Sequence, residues 1–182
     1  MQTPRRASAS PSPFHQLTLQ EVDRVLVSNT TSRRQGATYY TLEVFIRTST
    51  DPPRSFDAGC LKLSDGEGVQ MPAYTIEKTI AEFDSLRQAL YSASHLAHTY
   101  ASCELCKEMI LYMDNEDKIF SSSMFRLVMG REKVHQSLQQ LVDDVLDMLL
   151  HFSSIETTPW CSGQGRSHQV VRQFLLPRAA DS

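Results

Sequence analysis

A change of hydrophobic period at Ile80 divides this chain into two kinds of sequence. Before it, Tyr74, Ile76, Lys78 and Ile80 alternate with Thr75, Glu77 and Thr79, the two-residue repeat of a half-buried strand. After it, Ile80, Phe83, Leu86 and Leu90 recur at three and four residues, with Asp84, Arg87 and Gln88 turned the other way. That is the stripe of an amphipathic helix. A chain that spends its strands first and its helices later has few ways to bury both.

The strand-like part begins near Phe14. Leu17, Leu19 and the run Val25, Leu26, Val27 predict one long or bulged strand, interrupted by Gln20-Glu21. Asn29 to Gly36 carries turn residues and Arg33-Arg34. Tyr40, Leu42, Val44 and Ile46 then alternate with Thr41, Glu43 and Arg47, completing a hairpin. Phe45 breaks the polar face, which predicts that this face is partly covered. Asp51 to Gly68 reads as a loop, with Cys60-Leu61-Lys62-Leu63 as a short edge piece inside it.

Beyond Leu90 the pattern stays helical. Ser102 to Met113 predicts a second helix, and Asp114 to Ser123 a polar turn. Val134, Leu138, Leu141, Val142, Val145, Leu149 and Phe152 make the strongest stripe in the chain. Pro159 to Gly165 closes that region, and Ser167 is placed to cap a last helix ending before Pro177. The expectation is an α+β fold, a small three-stranded antiparallel sheet packed against about four helices. Residues 14–177 form that domain, flanked by disordered tails at 1–13 and 178–182. Met109, Met113, Met124, Met129 and Met148 serve as core filling or as an adaptable groove.

Charge narrows the function classes. Eighteen basic against twenty-one acidic residues give a net charge of −3, which argues against a broad nucleic-acid surface. No apolar run reaches the ~20 residues of a membrane span, and no secretory signal follows Met1. Arg5-Arg6-Ala7-Ser8 reads as a solvated basic tail or a basophilic kinase site. Four cysteines in 182 residues are too few for a secreted disulfide framework, so the expectation is a cytoplasmic domain with free thiols. No GxSxG, HExxH or phosphate-binding Walker loop is present, and His135 stands more than two helical turns from Asp143 and Asp144. The reading is a non-enzyme.

Three stretches, in this order, carry a resemblance. They are Tyr39-Tyr40-Thr41-Leu42-Glu43-Val44, Tyr74 to Phe83, and the late pair Leu138-Gln139-Gln140-Leu141-Val142 and Val170-Val171-Arg172-Gln173-Phe174-Leu175. Their order and spacing resemble the PX (phox-homology) family over roughly residues 14–176. The resemblance implies a module that binds phosphoinositide headgroups and brings a peripheral protein to membranes, with endosomal membranes as one destination. The family's strand-end Arg and aromatic correspond here to Thr79 and Ile80. A threonine hydroxyl cannot supply the bidentate pairing of a guanidinium, so lipid binding is expected to be weakened or altered. The family's proline-rich loop is also missing, since no proline lies between Pro72 and Pro159. The remaining cations that could meet a headgroup are Lys78, Arg131 and Lys133, with Arg33 and Arg34 at the hairpin tip. The competing reading keeps the fold and drops the lipid, leaving a protein-interaction module.

Cys103-Glu104-Leu105-Cys106 is a CxxC knuckle. Zinc needs four ligands, and His98 and Cys161 could complete the set, with His135, His151 and His168 as further candidates. No second CxxC and no HxxxH accompanies it. The expectation is therefore no cofactor, with a zinc-stabilised domain as the alternative and Cys106 as a small hydrophobe beside Leu105 and Met109 otherwise. A thioredoxin-like role for Cys103 lacks the preceding parallel βαβ pattern.

Overall fold

The computed structural model describes residues 18–32, 38–47, 71–100, 102–115, 123–153 and 161–176. The two tails, Arg33, Arg34 and the loop containing Cys60 to Leu63 lie outside the described residues. Three strands, β1 (Val22–Ser32), β2 (Thr38–Ile46) and β3 (Tyr74–Thr79), form one antiparallel sheet in the order β1-β2-β3. Among the described residues, four helices follow: α1 (Ile80–His95), α2 (Glu104–Asn115), α3 (Ser123–Ser153) and α4 (Ser162–Leu175). The fold is α+β, and the period switch at Ile80 is the junction between β3 and α1.

Local chemistry sets that junction. Thr79 keeps an extended backbone, and its N–H and hydroxyl both donate to the Glu82 carboxylate, at 2.8 and 3.0 Å. This Thr-x-x-Glu pattern ends the strand and starts the helix in one step. The same device recurs at Thr18 and Glu21, whose carboxylate accepts from the Thr18 N–H at 2.7 Å and its hydroxyl at 2.9 Å. Those bonds, the backbone one first, hold Glu21 below the usual carboxylate range. Here the structure corrects the expected continuous strand: Leu19–Glu21 is a single 3-10 turn, and β1 starts only at Val22. Leu17 lies outside the described residues.

β1 pairs with β2 through two register shifts, between Val22 and Arg24 and between Ser28 and Thr30. The second corrects the expected turn at Asn29. A bulge there takes up one polar residue without ending the ladder, so β1 runs on to Ser32. The first shift sets Arg24 opposite Phe45. Its guanidinium lies 4.4 Å from the ring centroid, and Phe45 is buried under it. The outer face is thus partly covered, as the sequence implied.

On the inner face, Val25, Val27, Tyr40, Leu42, Val44 and Ile76 pack against Phe83, Leu86 and Leu90 of α1 and the α3 stripe from Val134 to Leu149. Phe83 is the centre of this core. Its ring meets Phe174 of α4 edge-on at 5.2 Å and Tyr40 of β2 at 6.1 Å. Met109 and Met113 are fully buried, so these two methionines fill the core, and Met148 is packed against it. α3 contains one break, at Gly130, whose φ of 77° is open to glycine and costly for other residues.

β1 is an edge strand, and α3 seals it. Gln139 accepts from the Val27 N–H at 2.6 Å and donates to the Val25 carbonyl at 2.9 Å. The amide thereby stands in for a neighbouring strand. Asp143 accepts from the same Gln139 nitrogen at 2.9–3.0 Å and fixes which way the amide points.

The last helix departs from expectation. Ser167 does not cap it: α4 starts five residues earlier, with Cys161 as the N-cap, and Ser167 is buried within the helix. Gly163-Gln164-Gly165, which read as a turn, forms its first turn. The reason is steric. A Cβ on Gly163 would lie 2.6 Å from the Cys106 sulfur and 2.7 Å from the Ala97 Cβ. Glycine is what lets α4 approach α1 and α2 this closely.

Candidate metal centre

That close approach gathers four side chains that are far apart in sequence. His98 follows the end of α1, where Leu96 closes the last turn onto the Ser92 carbonyl. Cys103 stands just before α2, and its carbonyl accepts from the Lys107 N–H at 3.0 Å. Cys106 lies in the first turn of α2, and Cys161 caps α4. One ligand atom from each of the four lies within 4.8 Å of all the others.

Two of the separations are close to those around a tetrahedral ion. The Cys103 and Cys161 sulfurs are 3.4 Å apart, and those of Cys106 and Cys161 are 3.6 Å apart. Zinc–sulfur bonds of ~2.3 Å and zinc–nitrogen bonds of ~2.0–2.1 Å set ligand atoms about 3.5–3.8 Å apart in a tetrahedron. All three thiols are free cysteines.

Three further observations point to a bound cation. The Nε2 atom of His98 is shut off from solvent and, beyond the Cys161 sulfur whose ionisation His98 favours, finds no hydrogen-bond partner among the described residues, a state that a metal bond would suit. The Gln164 N–H donates to the Cys161 sulfur at 3.2 Å, a contact that offsets thiolate charge. Cys103, Cys106 and Cys161 also sit at the starts of two helices, whose N-terminal ends carry partial positive charge.

The thiols do not share one proton affinity. Burial, followed by its contacts with Cys103 and Cys161, pushes the Cys106 thiol well above its ordinary range. Burial also opposes ionisation of Cys161, yet the Gln164 N–H, Cys103, Cys106 and His98 outweigh it and bring its pKa down to about 7. A divalent cation reverses the Cys106 tendency, because coordination draws the proton off a thiol.

The other expected site residues lie elsewhere. Lys78 points inward from β3 and is 5% exposed. Its ammonium is 3.7 Å from the Glu82 carboxylate and 5.0 Å from the centroid of Phe174. Arg131 and Lys133 are exposed just after the break in α3, on a different element from Lys78. Among the other histidines, His168 bonds Ser153 at 2.9 Å, and burial lowers its pKa. His151 packs edge-on against Phe152. The reading of Cys106 as a small hydrophobe holds for its burial, for it is 0% exposed, but its sulfur faces two other sulfurs. No helix among the described residues is long and apolar enough to cross a membrane. No family model, curated protein or solved structure matches this chain.

Proposed function

We propose that this chain is a zinc-stapled, non-catalytic module, in which His98, Cys103, Cys106 and Cys161 bind one zinc ion that fastens α4 onto α1 and α2. The observation that carries this reading is the convergence of the four ligand atoms within 4.8 Å. Three thiolates and one imidazole suit zinc better than calcium or magnesium, which take oxygen ligands. Four protein ligands also fill the coordination shell, leaving no open position for a substrate or an activated water. The ion's role is then to hold a fold together. Elemental analysis of the full chain, purified without chelator, is expected to find zinc equimolar with protein. Substituting cobalt is expected to give thiolate-to-metal absorption bands that Cys106→Ser weakens. A chain with neither zinc nor those bands would sink the reading.

A second reading concerns what the module is for. The order of β1, β2 and β3 followed by helices, with Arg131 and Lys133 exposed on α3, favours a PX-like unit that meets an anionic phosphoinositide surface. Its test is sedimentation with vesicles that differ only in the phosphoinositide they contain. Selective binding lost in the double variant Arg131→Glu, Lys133→Glu supports it. Equal indifference to every lipid leaves a protein-interaction module on the same fold.

A further inference from the structure

The three sulfurs of the proposed zinc site differ in their access to solvent. Cys106 is fully buried, whereas Cys103 and Cys161 are partly exposed. The Cys106 sulfur is also wedged against Gly163, where even one added carbon would come within 2.6 Å. It has no room to swing. Cys103 and Cys161 flank the helices α2 and α4 from outside their first turns, with their sulfurs 3.4 Å apart.

Resting on the zinc reading above, we propose that the site responds to hydrogen peroxide by exchanging its metal staple for a Cys103–Cys161 disulfide. The exposed thiolate of Cys103 or Cys161 attacks the peroxide, the O–O bond breaks, and the sulfur becomes a sulfenic acid while one oxygen leaves as hydroxide and is protonated to water. The second exposed thiolate attacks that sulfur, the S–O bond breaks, and the departing hydroxide takes a proton to give a second water. Two electrons pass from the sulfur pair to the peroxide. Having lost two thiolate ligands, the zinc ion leaves, and the Cys106 thiolate takes up a proton. The cross-link joins the same two helix starts that the metal held, so α4 remains tethered while His98 and Cys106 are released.

The test treats the zinc-loaded full chain with hydrogen peroxide, follows released zinc with a chromogenic chelator, and maps disulfides by peptide mass spectrometry. The expected result is equal molar amounts of released zinc and Cys103–Cys161 cross-link, reversed by a thiol reductant with added zinc. Helical circular dichroism is expected to persist in the oxidised protein. Zinc retained at peroxide levels that oxidise free glutathione would overturn the proposal. So would a cross-link made chiefly through Cys106, or sulfinic acid without any cross-link. Zinc content is measured before oxidant is added: none at that point overturns the zinc reading and this one together, whereas full zinc without the cross-link overturns this one alone.

Discussion

The sheet-facing core and the corner where α1, α2 and α4 meet hold together by different means. In the core, Phe83, Leu42, Leu90, Leu138 and Leu141 are all fully buried, and no single contact dominates. Each such side chain contributes roughly 1.5–3 kcal/mol by leaving water, so the loss of one is graded. At the corner, Ala93, Ala97 and Gly163 bring the helices close around His98, Cys103, Cys106 and Cys161, beside the same apolar core. On the zinc reading proposed above, one ion adds to its cohesion. A core of many small terms degrades gradually, whereas a site of four ligands is present or absent.

Metal removal should therefore divide the two regions most sharply. Structural zinc in small peptides is worth about 10–16 kcal/mol of apparent binding energy near neutral pH, which bounds the effect here. Chelation is expected to lower the melting temperature by more than any single core truncation. A melt indifferent to chelator would erase the distinction. Phe83→Ala comes next, at about 3–5 kcal/mol by denaturant unfolding. Zinc stoichiometry should stay unchanged in that variant, because the damage is confined to the core.

Gly163→Ala should act on both regions at once. The added carbon strikes the Cys106 sulfur and Ala97, costing about 1–3 kcal/mol and weakening zinc in competition titrations. Gly165→Ala, with nothing within 4 Å of the new carbon, should be neutral or stabilising by about 0.5–1 kcal/mol. If the two glycines behaved alike, the close approach at Gly163 would not be what positions the ligands.

Gln139→Ala removes the two bonds to β1 and should cost about 1–2 kcal/mol, again with metal content intact. The smallest effect is expected from pH. Burial keeps His168 neutral and lowers its pKa below the ordinary 6.5, so the unfolded chain binds the proton more readily than the folded one. Stability should fall as pH drops below 6.5, and His168→Gln should flatten that slope. Chelated protein is the right sample, since acid also displaces zinc from thiolates.

Much of the fold was legible because it depends on neighbours in sequence. The alternation through Tyr74 to Ile80, the helical stripe from Ile80 and the long stripe of α3 all report local geometry. Even the inward position of Lys78 was written in the alternation that it shares with Tyr74 and Ile76. Its identity as a cation drew attention to a surface that it does not occupy. Thr18 and Glu21 carried the signal of the 3-10 turn, in the same Thr-x-x-Glu spacing that marks Thr79 and Glu82.

All four residues of the site were named in sequence, as an alternative, but spacing supported only two of them. Cys103 and Cys106 announce a knuckle, but the third cysteine lies 55 residues beyond Cys106, and no spacing rule links them. Only the packing of α4 against α1 and α2 brings Cys161 in. The usable clue was Gly163, two residues past a cysteine at a helix start, where a turn and a close helix contact look the same in sequence. His98, among six histidines, has no local mark at all.

The Gln139 amide on β1 has a consequence outside the molecule. A bare strand margin invites the backbone of a foreign chain to join the sheet, which is how many edge-to-edge aggregates begin. Here that invitation is withdrawn at Val25 and Val27 by an uncharged amide, which an acidic neighbour, Asp143, holds in place. Of the two margins of the sheet, β3 on the far side carries no such amide among the described residues, so β3 is the side at which a second copy would pair more readily.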